Sequence, residues 1–171
     1  MNLAEILRAY RPYLDGELGV IGAIEEIEIN GLSFDSRKVK SGNLFFCLSG
    51  GIHDGHDYAL QAEKNGAAAV VVERQIAVSV PQIVVQNTRE TMGYISCIYF
   101  DFPSKEIEVI GITGTNGKTT TTQLVSKILN TAGVPSRTIG TLTGALTTPE
   151  APDLQGQFRS FANAGIKSVV M

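Results

Sequence analysis

Apolar residues at helical spacing open the chain. Leu3, Ile6, Leu7 and Tyr10 fall on one face of a helix that Asn2 is placed to cap and Pro12 to end. A short strand is expected near 27–30. The segment "NLFFCLS", 43–49, reads as a stronger strand, rich in aromatic and aliphatic side chains. After the loop "GGIHDGH", Asp57 is expected to cap the helix "YALQAEKN", which Gly66 stops. "AAAVVVE" and "QIVVQ" are apolar on both faces, the pattern of strands buried in a parallel sheet. Thr88 is placed to cap a further helix, with Met92, Ile95 and Tyr99 inward and Pro103 closing it.

The stretch "DFPSKE", 101–106, interrupts this pattern. It gives an expected domain boundary, with 1–103 before it and 104–171 after it. Beyond it, "EVIGITG" reads as a strand, and 118–132 as a helix stopped by Gly133. "SRTIGTL", 136–142, is a second strand. The loop "TGALTTPEAP" leads to Asp153, the expected cap of a helix ending at Gly165, and "IKSVVM" is a third strand. Alternating strand and helix predict an α/β fold: a small α/β domain, then the start of a parallel-sheet domain. Three strands are few for such a sheet, so the second domain is expected to be incomplete and the chain an N-terminal piece.

Composition narrows the chemistry. Apolar residues make up 43% of the 171 and the net charge is −3, so no basic face for nucleic acid is expected. No run is long and apolar enough to span a membrane, and the N-terminus lacks the layout of a signal peptide. Cys47 and Cys97 have no metal or redox spacing and read as buried thiols; a reducing cytoplasm fits them.

The segment that calls for chemistry is "GITGTNGKTTTTQ", 111–123. A strand turning sharply into a helix leaves the helix's first amides unpaired and convergent, with the positive end of its dipole behind them. Gly114 and Gly117 let backbone approach an anion closely, Thr115 and Asn116 lie between them, and Lys118 adds a full charge. Thr119 offers a hydroxyl to Mg²⁺, and Thr120 stands ready to assist at a phosphate. The general phosphate-loop pattern wants glycine five residues before Gly117. Ile112 stands there, and the glycine comes one earlier, at Gly111. No Asn-Lys-x-Asp string follows, which excludes a GTPase switch.

"HDGHD", 53–57, crowds two histidines and two aspartates into one loop. With no distant third histidine it reads as a glycine turn and helix cap rather than a metal site. Asp35 and Arg37 either form a surface ion pair or shape a binding loop. Glu150 and Asp153 read as capping and solvated carboxylates.

The glycine loop resembles the ATP loop of the Mur ligases. Separately, "FDSRKVKSGNLFFCLSGGIHDGHDYALQAEKNGAAAVVVE" resembles that family's N-terminal domain, with Asp-Ser-Arg, Gly-x-Leu-Phe, Asp-Gly-His and Gly-Ala-x-Ala-Val-Val in order. With "TTPEAPDLQ", the chain is most similar to the members that add the third amino acid, L-lysine or meso-diaminopimelate, to UDP-N-acetylmuramoyl-L-alanyl-D-glutamate. The alternative within the family is the D-alanyl-D-alanine-adding ligase, which more often carries serine where Thr115 stands.

The resemblance implies roles. Ser36 meets the UDP moiety with Phe34 nearby, and Gly51, Ile52 and His53 line the uridine site. Thr115 to Thr119 wrap the ATP phosphates, Lys118 serves catalysis, Thr119 holds Mg²⁺, and Thr147 and Thr148 meet the muramoyl or diphosphate portion. In the family, ATP phosphorylates the D-glutamate carboxylate and the incoming amine displaces phosphate. The family continues past "IKSVVM" with a glutamate that binds magnesium and with a third domain, so these residues alone are expected not to turn over. The reading from a different class is a non-catalytic UDP-sugar-binding module with a vestigial loop.

Overall fold

Asn2 opens the first helix, α1 (Leu3–Tyr10). Its side chain accepts a hydrogen bond from the Ala4 amide at 2.9 Å, and Leu3, Ile6, Leu7 and Tyr10 are buried along one face. The computed structural model describes residues 1–51, 53–140 and 148–171, in two compact units, Met1–Tyr99 and Phe100–Met171.

The first unit holds a five-stranded sheet of β1 (Gly19–Ile21), β2 (Gly31–Ser33), β3 (Asn43–Phe46), β4 (Ala67–Val72) and β5 (Gln82–Val84). Their order is β1-β5-β4-β3-β2. All pairs are parallel except β1 with β5, where Gly19 faces Val84 and Ile21 faces Gln82. Parallel strands are covered on both sides, and Leu44, Phe45, Phe46, Val70, Val71 and Val72 are all buried. Each such side chain contributes roughly 1.5–3 kcal/mol on burial, so β3 and β4 anchor the unit. Phe45, Val70 and Val72 pack with Ala59 and Ala62 of α2 (Ala59–Lys64). On the other side α3 (Thr88–Tyr99) packs on β3, and α1 packs on α3, where the Tyr10 and Thr91 hydroxyls lie 2.9 Å apart.

Several local expectations shift. The strand expected near 27–30 is β2, slightly later. Residues 27–29 instead pair with the N-terminus, Leu3 N–H donating to Ile27 C=O at 2.8 Å and Ile29 N–H to Met1 C=O at 2.9 Å. Asp57 caps nothing. The Asp54 side chain accepts from the His56 amide at 3.0 Å and starts a 3₁₀ turn, Gly55–Tyr58, that runs into α2 and absorbs Asp57. Asn87, not Thr88, caps α3, its side chain accepting from the Glu90 amide at 3.0 Å. Ile98 takes the buried place expected of Tyr99, which is half-buried.

The second unit has β6 (Glu108–Ile110), α4 (Lys118–Thr131), β7 (Ser136–Thr138), α5 (Ala151–Asn163) and β8 (Ser168–Val170). The strands are parallel in the order β6-β8-β7. Ile107, Ile139, Phe158, Ile166 and Val169 form its core. Gly133 and Gly165 end α4 and α5 at φ of 80° and 76°. Asp153 lies within the first turn of α5 instead of capping it; Glu150 holds the cap position, and Asp153 there suits the helix dipole. At the head of this unit Asp101 and Phe102 adopt φ of 58° and 48°. Arg159 of α5 holds them, donating to the carbonyls of Phe100 at 2.9 Å and Asp101 at 2.8 Å while pairing with Glu106 at 2.7 Å. Among the described residues no helix is long and apolar enough to cross a membrane.

Candidate functional site

β6 delivers the chain into the loop 111–117 at the carboxyl ends of the parallel strands, where open α/β sheets place ligands. The loop's base is stitched to β8: Ile112 N–H donates to Met171 C=O at 2.6 Å, and Met171 N–H to Ile110 C=O at 2.9 Å. Gly114 has φ of 150° and Gly117 of 79°, backbone that L side chains rarely adopt. Gly117 immediately precedes α4, and Thr121 N–H donates back to its carbonyl at 2.9 Å. Helix geometry gives the amides ahead of that first bond no partner in the ladder.

Lys118 is the first residue of α4, and its Nζ donates to the Gly114 carbonyl. The ammonium therefore curls back over the loop. Thr115, Asn116, Thr119 and Thr120 are exposed, whereas Thr122 is buried and its hydroxyl donates to the Lys118 carbonyl at 2.8 Å. A helix start with its dipole, a cation and hydroxyls on one open loop suit a phosphate-bearing ligand. This donor set also fits a nucleotide with Mg²⁺, since the hydroxyl of Thr119 is a hard oxygen ligand.

The first unit has a cavity of about 530 Å³, within the usual range for small-molecule sites. Phe34, Ser36 and His53 line it, with Asp35, Arg37, Phe45, Leu48, Gly55, Tyr58 and Gln61. Ser36 Oγ donates to Gln61 Oε1 at 3.2 Å, and His53 meets the Tyr58 ring edge-on with centroids 6.4 Å apart. Asp35 accepts a fork from Arg37, Nε at 2.9 Å and Nη2 at 2.8 Å, and also its amide at 3.1 Å. That hydrogen-bonded guanidinium lowers the Asp35 carboxyl to about 2. The pair is thus both surface-borne and part of the cavity lining. Gly51 is exposed and is not among the lining residues; Thr148 is exposed in the second unit. Ile52 and Thr147 lie outside the described residues.

His56 had no assigned role beyond a turn. Its side chain is 1% exposed and both ring nitrogens are engaged, Nδ1 with Asp54 at 2.6 Å and Nε2 with the Glu73 amide at 2.9 Å. Neither is left for a metal, and among the described residues no group of three or more His, Cys, Asp or Glu is placed to hold one. The Glu73 contact reaches 17 residues along the chain, so no local spacing announces it.

Residues 28–98 match the profile of the Mur ligase family, catalytic domain, and residues 112–171 that of the Mur ligase middle domain. The chain is 40% identical over 156 residues to UDP-N-acetylmuramoyl-L-alanyl-D-glutamate--2,6-diaminopimelate ligase of Bacillus licheniformis, covering 86% of this chain and 32% of that protein. The enzyme of the same name from Listeria monocytogenes is 37% identical over 180 residues, 100% of this chain and 35% of its own. Among solved structures, a UDP-N-acetylmuramoyl-L-alanyl-D-glutamate--2,6-diaminopimelate ligase superposes with a TM-score of 0.70 at 25% identity, covering 87% of this chain and 33% of the other. MurF from Acinetobacter baumannii superposes at 0.66 with 27% identity, covering 98% and 34%. The chain spans about a third of the length of the relatives it matches.

Proposed function

This chain belongs to the Mur ligase family, and on that premise we propose that it is the substrate- and ATP-binding part of an ATP-dependent amide ligase of peptidoglycan precursor synthesis. Its acceptor is a UDP-N-acetylmuramoyl dipeptide ending in D-glutamate, and the residue added is the third, L-lysine or diaminopimelate. The relatives named for that addition support the assignment. The observation that carries it is the pairing, in one chain, of a 530 Å³ cavity lined by Phe34, Ser36 and His53 with a glycine loop whose lysine opens a helix.

In this reading the cavity takes the UDP end of the acceptor. Ser36 meets the UDP, Phe34 lies beside it, and His53 meets the uridine. Bound at the glycine loop, ATP supplies the phosphoryl group that makes the acceptor carboxylate an electrophile, with Mg²⁺ offsetting phosphate charge. The backbone from Gly114 to Gly117, with the Thr115 and Asn116 amides, wraps the phosphates; Thr119 is the metal ligand and Thr120 a supporting hydroxyl. Lys118 exchanges the neutral Gly114 carbonyl for a charged phosphate oxygen, a stronger acceptor. These groups act by position and charge rather than by covalent chemistry.

Calorimetric titration tests the assignment on residues 1–171. The UDP-muramoyl dipeptide and Mg·ATP are each expected to bind, at independent sites, with UDP alone competing for the first. Absence of both interactions refutes it. Binding of the UDP compound, with ATP binding absent, identifies instead a UDP-sugar-binding module with a vestigial loop.

A further inference from the structure

We propose that His56 is a positioning residue of the UDP-binding cavity, its buried imidazole fastening the loop that forms one cavity wall to the end of β4. The proposal rests on the cavity being the UDP site. The segment after β3 supplies four lining residues, Leu48, His53, Gly55 and Tyr58. Its own backbone bonds close it on itself: Gly55 N–H donates to Leu48 C=O at 2.8 Å and Gly50 N–H to His53 C=O at 3.1 Å. A Cβ on Gly55 would lie 2.5 Å from the Leu48 nitrogen, so the closure is tight. Those bonds tie the loop to itself but not to the far end of β4.

His56 and its neighbours make that tie. Nε2 accepts from the Glu73 amide at 2.9 Å, so the ring proton sits on Nδ1 and is donated to Asp54 Oδ1 at 2.6 Å. The other Asp54 oxygen accepts from Arg74 Nη2 at 2.6 Å. Ser49 Oγ donates to Glu73 Oε2 at 2.7 Å, and Glu73 Oε1 accepts from the Thr88 amide, the first residue of α3, at 3.0 Å. Glu73 and Arg74, the two residues after β4, therefore grip the loop at Ser49, Asp54 and His56 together. With both ring nitrogens spent inside the protein, His56 acts on the cavity only through its neighbours Gly55 and Tyr58. Arg74 and the two His56 donors hold the Asp54 carboxyl well below the usual range, as expected of a carboxylate kept ionised in this network.

The test uses residues 1–171 and the variants His56→Ala, His56→Gln and, at an exposed position, Arg74→Ala. Nitrogen-15 NMR of the unmodified chain is expected to show His56 protonated at Nδ1 and bare at Nε2. In His56→Ala, hydrogen exchange at the Gly50 and Gly55 amides speeds up, UDP affinity falls about tenfold, and Mg·ATP affinity is unchanged. His56→Gln, which restores an acceptor to the Glu73 amide, recovers part of the UDP affinity. Arg74→Ala shows the same exchange effect in weaker form and decides the matter if His56→Ala does not fold. Unchanged exchange at Gly50 and Gly55 in folded variants, or a ring protonated at Nε2, overturns the proposal. If the unmodified chain binds no UDP, the substrate reading fails, while the exchange data still judge the fastening.

Discussion

Lys118 donates its ammonium to the carbonyl of Gly114, four residues back across the glycine loop. A lysine at the first position of a helix has its own first turn beside it and open water beyond. Here it folds over the preceding turn instead, which places its charge over the glycine loop. Replacing Lys118 with alanine removes that charge and leaves the loop backbone intact. Nucleotide affinity is expected to fall by about 2–4 kcal/mol, within the range for losing one partner of a charged pair, with UDP affinity unaffected. Titration with a non-hydrolysable ATP analogue measures both; an unchanged nucleotide affinity would mark the loop as vestigial.

Gly117 and Gly111 make a matched contrast. A Cβ at either meets nothing within 4 Å, but only Gly117 has a left-handed φ, 79°. Gly117→Ala is therefore expected to lower stability by roughly 1–2 kcal/mol through backbone strain alone. Gly111→Ala is expected to stay within about 0.5 kcal/mol of the parent. Denaturant unfolding compares them, and equal effects would mean that the loop changes conformation freely.

The Asp35 carboxyl, lowered from 3.8 to about 2 by its Arg37 partner, gives the first unit an acid dependence of known sign. The unfolded chain holds this proton more tightly than the folded one. Its stabilisation is therefore complete above about pH 4 and disappears as pH falls through about 2. Arg37→Ala is expected to raise the Asp35 pKa toward its ordinary value and flatten that part of the acid profile. Carbon-13 titration of the carboxyl reads the shift directly.

Burial, with the Asp54 charge nearby, pushes the Cys47 thiol up to about 12, and burial also raises that of half-buried Cys97. At pH 8 a disulfide reagent is expected to label Cys97 first and Cys47 only on unfolding. Equal labelling rates would show that the end of β3 opens in the native state.

The parallel core was legible because its strands are apolar on both faces: "NLFF" and "AAAVVV" admit few other readings. β1 was not, because it is three residues long, lies at an edge and leaves Val20 41% exposed, so no alternation marks it. The cap falls at Asp54 rather than Asp57 because a 3₁₀ turn ahead of α2 moves the start upstream, and at Asn87 rather than Thr88 because α3 already begins at Thr88. Phe34 and Ser36 lie together just after β2 while His53 follows β3, and the parallel pairing of β2 with β3 helps bring the two stretches to one cavity. The part played by His56 depends on its contact with Glu73, 17 residues on, which no local pattern announces.

In the second unit β8 lies between β6 and β7, although it follows both in the chain. Among the described residues the strand that pairs with both β6 and β7 is synthesised after them, so neither ladder is complete until β8 has left the ribosome. The glycine loop, whose base is tied to Met171, therefore acquires its fixed shape only at that late moment, whereas the first unit has all five of its strands in hand some eighty residues earlier.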